Sequence, residues 1–116
     1  MDIHNPSKSL RKQLRSVIEK GLQRDYQEGL KIAQKITEAW ESGALVTEDA
    51  YIALFKELQE HDKRIEQTYD MRGSQYFFVI SILLFQGTIT EDDLQPLPEE
   101  VREWILEASK IYSGHI

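Results

Sequence analysis

The chain has 116 residues, a length that suits one domain and is too short for two ordinary ones. With 41% hydrophobic and 29% charged residues it reads as a folded globular protein with a high ratio of surface to core, not as a disordered chain. A formal net charge of −6 argues against general affinity for nucleic acid or anionic lipid, and the lack of cysteine excludes disulfides, thiolate metal sites and cysteine nucleophiles.

In chain order, Asn5-Pro6 marks a helix start, because Asn caps well and Pro at the first helical position loses no hydrogen bond. Apolar residues then recur at Leu10, Leu14, Val17, Ile18, Leu22, Tyr26, Leu30, Ala33, Ile36 and Trp40, in the gaps of three and four that make one helix face. Gly43 is the natural stop. A helix of that length measures about 50 Å, longer than a globule of this size, at about 30–40 Å, is wide. Either it breaks near Gly21 or Gly29, or it projects as a stem and packs on a second chain; projection is the preferred reading.

Thr47 caps the next helix, with Glu48 and Asp49 where the helix dipole favours negative charge. Its expected inner face is Tyr51, Leu54, Phe55, Leu58, Ile65 and Tyr69, with His61 and Asp62 in or beside the stripe, and it should reach about Arg72. Between Gln75 and Gln86 the chain is apolar on every side except for Ser81, so it predicts a helix buried all round that ends at Gly87, although composition alone leaves a strand open. Thr90 and Asp93 suggest a capping box for one short turn near Leu94. Pro98 can open the last helix, with Val101, Trp104, Ile105, Ala108 and Ile111 facing inward and a frayed tail from Ser113 to Ile116. No repeat, low-complexity tract or linker interrupts residues 1–116, which read as a single all-helical domain.

Catalytic chemistry finds no foothold. The histidines, His4, His61 and His115, are scattered, and only Glu57 and His61 share a helix at a useful spacing; a bundle metal site would need Glu three residues before His61, where Leu58 stands. No phosphate loop, nucleophile elbow or zinc-binding helix motif is present, and the paired carboxylates sit at helix starts, where capping accounts for them. The reading is therefore no catalytic residues, no metal and no cofactor.

Lys8, Arg11, Lys12 and Arg15 place positive charge on the first turns of helix one, where the helix dipole disfavours it. A solvated helix face is the ordinary reason for such a run, and a contact with acidic protein is the functional alternative. Charge is also segregated: residues 1–40 carry eight Lys/Arg and five Asp/Glu, whereas residues 41–116 carry six and fifteen, which suits antiparallel self-association. Trp, Tyr and Arg dominate interface hot spots, so Arg11, Arg15, Trp40, Tyr69, Arg72 and Tyr76 are the candidate partner-binding residues. The N-terminus lacks a secretory pattern, and the longest apolar run, Tyr76 to Phe85, is half the roughly 20 residues a membrane span needs; a cytoplasmic protein is expected.

The segment Tyr69 to Leu97 resembles part of the cyanobacterial fluorescence recovery proteins and their relatives outside cyanobacteria. Tyr69, Asp70, Arg72 and Ser74 match that family's Tyr-Asp-x-Arg-x-Ser motif, Gly87 its helix stop and Asp93-Leu94 its acidic turn. The resemblance implies an all-helical, dimeric, cofactor-free protein with long stem helices and a compact head; its cyanobacterial members bind the orange carotenoid protein and speed its return to the resting state. The family's functional Trp, Asp and Arg on the preceding helix align with Ile52, Lys56 and Asp62 here, so none is retained. The expectation is thus a homodimeric, non-enzymatic adaptor or regulator that binds a protein partner, without carotenoid-protein activity, nucleic acid or membrane. The alternative is a small-ligand-binding helical protein or enzyme with a pocket beneath the 75–86 helix, using Ser81, His61 and Tyr69.

Overall fold

The computed structural model describes residues 1–113; Ser113, expected in the frayed tail, is instead the last residue of a helix, and 114–116, with His115, lie outside the described residues. The fold is all-α, with α1 (Lys8–Glu41), α2 (Thr47–Thr68), α3 (Tyr76–Gln86) and α4 (Glu99–Ser113). Single 3-10 turns at Gly73–Gln75 and Glu91–Leu94 flank α3, and no strand occurs among the described residues. Helix α1 is long and continuous and does not break at Gly21 or Gly29. The chain divides into two compact units, one of Met1–Leu22 with Thr68–Ile116 and one of Gln23–Gln67, so α1 contributes to both.

In the first unit, α3 is the centre. Tyr76, Phe77, Val79, Ile80, Ser81 and Leu83 are all buried, but Phe78, Ile82 and Leu84 are half-buried and Phe85 and Gln86 exposed, so the helix is not buried all round as expected. The Ser81 hydroxyl donates to the Phe77 carbonyl at 2.7 Å, which satisfies it within the helix. Helix α4 packs along α3, where Trp104 meets Phe77 and Phe78 edge-on at centroid distances of 5.3 and 5.7 Å. Leu14, Val17 and Ile18 of α1, together with Ile89, Leu94, Leu97, Val101 and Ile105, complete the core. Gly21 permits a close approach: a Cβ there would lie 2.8 Å from Leu83 Cδ1 and 3.3 Å from the Tyr69 hydroxyl. Gly87 ends α3 at φ +79°, a left-handed conformation that costs other residues about 1–2 kcal/mol.

Several helix boundaries differ from expectation by a residue or more. Helix α1 begins at Lys8 because the Ser7 hydroxyl accepts the Leu10 N–H at 3.2 Å, so Ser7, not Asn5, is the cap. Thr47 lies inside α2; its hydroxyl accepts the Trp40 indole N–H at 3.0 Å, while the Val46 carbonyl accepts the Ala50 N–H. Helix α2 stops at Thr68, four residues early, because the Asp70 carboxylate captures the Arg72 backbone N–H and turns the chain out of the helix. Pro98 accepts the Arg102 N–H and stands just ahead of α4, not as its first residue. The Thr90–Asp93 capping box forms, with the Asp93 carboxylate accepting the Thr90 N–H at 2.8 Å.

The second unit is a helical hairpin made from the C-terminal part of α1 and α2, joined by the turn 42–46 with Gly43 at φ +84°. Ala50, His61 and Ile65 are its buried residues on α2. Gly29 faces His61, whose ring would lie 3.0 Å from a Cβ at that position.

Candidate protein-binding surfaces

Two surfaces carry chemistry that a partner can use, one on each unit. The larger is the apolar face of the hairpin. On α1, Tyr26, Leu30, Ala33, Thr37 and Trp40 follow one another in steps of four and three; on α2, Tyr51, Phe55, Leu58, Asp62 and Ile65 do the same. That alternation is the rhythm of helices that pack side by side in coiled coils and bundles. Yet within one chain much of this stripe is uncovered: Tyr51 is 72% exposed, Leu30 71% and Phe55 62%. Tyr26, Trp40 and Leu58 are also exposed, and Val46 and Ile52 lie nearby in the turn and on α2. The expectation that Tyr51 and Phe55 face an internal core is therefore corrected. Helical periodicity reports that a face is apolar without saying whether the same chain or another covers it. Ile111 on α4, also expected inward, is 61% exposed for the same reason.

Two shallow cavities open on the hairpin. Tyr51, Leu54, Phe55, Leu58 and Gln59 line one of about 480 Å³. The other, about 340 Å³, is lined by Tyr26, Gly29, Leu30, Leu58, His61, Asp62 and Ile65. Both are mainly apolar hollows of the kind that side chains of a packing partner fill.

The second surface lies on the first unit where α1 meets the Gly73–Gln75 turn. Arg15 donates from Nε and Nη2 to the Tyr76 hydroxyl at 3.1 and 2.8 Å, with its guanidinium 5.8 Å from the Tyr76 ring centre. The Arg11 stem lies over Gly73, its Cδ 3.1 Å from where a Cβ would be. Arg72 forms a two-pronged pair with Asp70, its Nε 2.9 Å from Oδ1. That pairing, through the side chain first and the backbone second, holds the Asp70 carboxyl below its ordinary pKa and raises that of Arg72.

The six candidate residues are divided between the two units. Arg11, Arg15 and Arg72 are exposed cations around the Gly73 junction. Tyr76 is 1% exposed and Tyr69 is buried, so both belong to the core and are out of a partner's reach. Trp40 lies in the hairpin unit, partly exposed and tethered to Thr47. Leu30, on the stripe of α1 expected to pack on a second chain, is exposed together with Tyr51 and Phe55, which the same spacing places on an inner face. For the alternative reading, Ser81 is satisfied by its own helix and Tyr69 lies against Gly21. Among the described residues no group of three His, Asp or Glu side chains converges on a point where a metal could sit, and none of the helices is long and apolar enough to cross a membrane.

No family model, curated protein or solved structure matches this chain.

Proposed function

We propose that this protein is a non-enzymatic adaptor or regulator that acts as a homodimer, with the apolar hairpin face of one copy packed on that of a second. The observation that carries the reading is the uncovered stripe on α1 and α2. Eight large apolar residues are exposed on this unit, and at roughly 100 Å² apiece they offer on the order of 800 Å², about what each partner contributes to a standard interface. Two hairpins bearing the same four-three rhythm are self-complementary, and their union is a four-helix bundle in which each stripe fills the hollows of the other. A two-fold axis makes such a contact closed, so it ends at a dimer.

The dimer is the scaffold in this proposal, and a further protein is the client. The resemblance of Tyr69 to Leu97 to the fluorescence recovery proteins supports a regulator of this type, while Ile52, Lys56 and Asp62 at that family's functional positions argue for a different client. A cytoplasmic setting belongs to the same proposal and rests on the cysteine-free, acidic composition.

Leu30→Glu and Phe55→Glu each place a charge at a position of the stripe that is itself exposed. Light scattering on these variants should return a monomer while circular dichroism keeps the wild-type helical signal. Variants that hold the wild-type mass would remove the hairpin face from the account.

A further inference from the structure

We infer that the basic face formed by Lys8, Arg11, Lys12 and Arg15 is the docking site for a short acidic segment of a client protein. This deepens the adaptor reading and rests on it: it specifies the chemistry of the client and leaves the hairpin contact as proposed above.

The four cations lie within eight residues of α1, and at 100° per residue they fall within a quadrant or so of its circumference. All four are exposed. Elsewhere among the described residues Lys20 pairs with Asp93, Lys31 with Glu28, Arg72 with Asp70 and Lys110 with Glu107, while Lys35, Lys56, Lys63 and Arg64 hold no carboxylate but are not gathered in a run of four on one helix face. Among the described residues no carboxylate pairs with Lys8, Arg11, Lys12 or Arg15, in a chain that holds 20 acidic residues against 14 basic ones. Arg15 is bound only to a neutral hydroxyl, which leaves its full charge uncompensated. Like charges crowded at the N-terminal end of a helix are locally unfavourable, and an anion brought from outside relieves them.

One of the four heads is held in place, and the stem of a second is seated against the turn. The Tyr76 hydroxyl fixes Arg15 through two donors and leaves Nη1 free. Gly73, lacking a Cβ, lets the Arg11 stem lie flat across the turn. Arginine forks held this way meet carboxylates with less ordering to do on binding.

The extent of the patch selects its ligand. From Lys8 to Arg15 the helix rises about 10 Å, which matches three or four residues of an extended peptide. One turn beyond Arg15, on the same face, Glu19 is exposed and ends the positive surface. Taking four positive charges from a total of −6 leaves −10 on the rest of the chain. A nucleic-acid strand, whose charges continue past the patch, meets that repulsion, whereas a short acidic stretch in a protein stays within the patch.

The test is a titration of the ¹⁵N-labelled full chain with an amidated hexaglutamate peptide, followed by NMR. Saturable shifts confined to residues 8–15 and 73–76 are expected, weakened at least tenfold between 50 and 300 mM salt. Arg11→Glu should abolish them, and so should the pair Lys8→Glu with Lys12→Glu, whose side chains hold no ion pair in the fold and whose loss should leave it intact. The inference is overturned if hexaglutamate gives no shifts at millimolar concentration, if the shifts map elsewhere, if the lysine pair binds as the wild type does, or if a deoxythymidine 12-mer binds these residues more tightly than the peptide. A basic-face variant that loses the peptide but keeps the dimer mass separates this site from the hairpin contact. Failure of peptide binding in a protein that is still dimeric would sink this inference alone.

Discussion

Asp70 and Arg72 act together to turn the chain from α2 into α3. The carboxylate accepts both the backbone N–H of Arg72 and its guanidinium, so one side chain ends a helix and orients the next segment. Because this pairing lowers the pKa of Asp70, its contribution to stability is complete above the ordinary carboxylate pKa and is lost as pH falls through the lower folded-state value. Arg72 stays charged throughout that range. Asp70→Asn should therefore melt below the wild type at pH 7, with the gap narrowing below about pH 4. A gap that is constant with pH in thermal melts would mean that the carboxylate charge is not what counts. At this scale the sequence was a partial guide to the site. Arg11, Arg15 and Arg72 are surface cations as their type suggests, but Tyr69 and Tyr76 are buried, and an aromatic ring does not announce which side of the surface it occupies.

Among the elements, the helices that a single chain covers were the most legible. Helix α3 follows directly from an unbroken apolar run closed by Gly87, and the Thr90–Asp93 box forms where its spacing lies. The end of α2 was not legible, because an Asp side chain competing for a backbone N–H is a local choice that periodicity does not register. Nor was the division of labour along α1, whose stripe is core at Leu14, Val17 and Ile18 and surface at Tyr26 and Leu30, with no change in pattern. Gly21, one of the two alternative breakpoints, lies inside a continuous α1 and is a place of close packing. Gly21→Ala adds a methyl 2.8 Å from Leu83 Cδ1, which is fully buried. Overpacking of that kind costs about 1–3 kcal/mol, and the gain in helix propensity returns at most about 1 kcal/mol. Net destabilisation in urea unfolding is expected; a stabilised variant would mean that the Leu83 side chain can move aside freely.

On the scale of the whole molecule, the chain builds one unit around α3 and leaves another, the hairpin, with its apolar stripe uncovered. The sequence carried the information for both, but the physical signal for a core and for an interface is the same, and only the fold distinguishes them. A long unbroken α1, an exposed four-three stripe and a four-cation patch without carboxylate partners among the described residues are the features on which the proposed scaffold rests. In the proposed scaffold the second chain is another copy. Sedimentation equilibrium of the wild-type protein from 1 to 100 μM tests it most directly. The expected mass is about 27 kDa, twice the 13.6 kDa of the chain, held across most of that range. A single species at the monomer mass up to the highest concentration would contradict it.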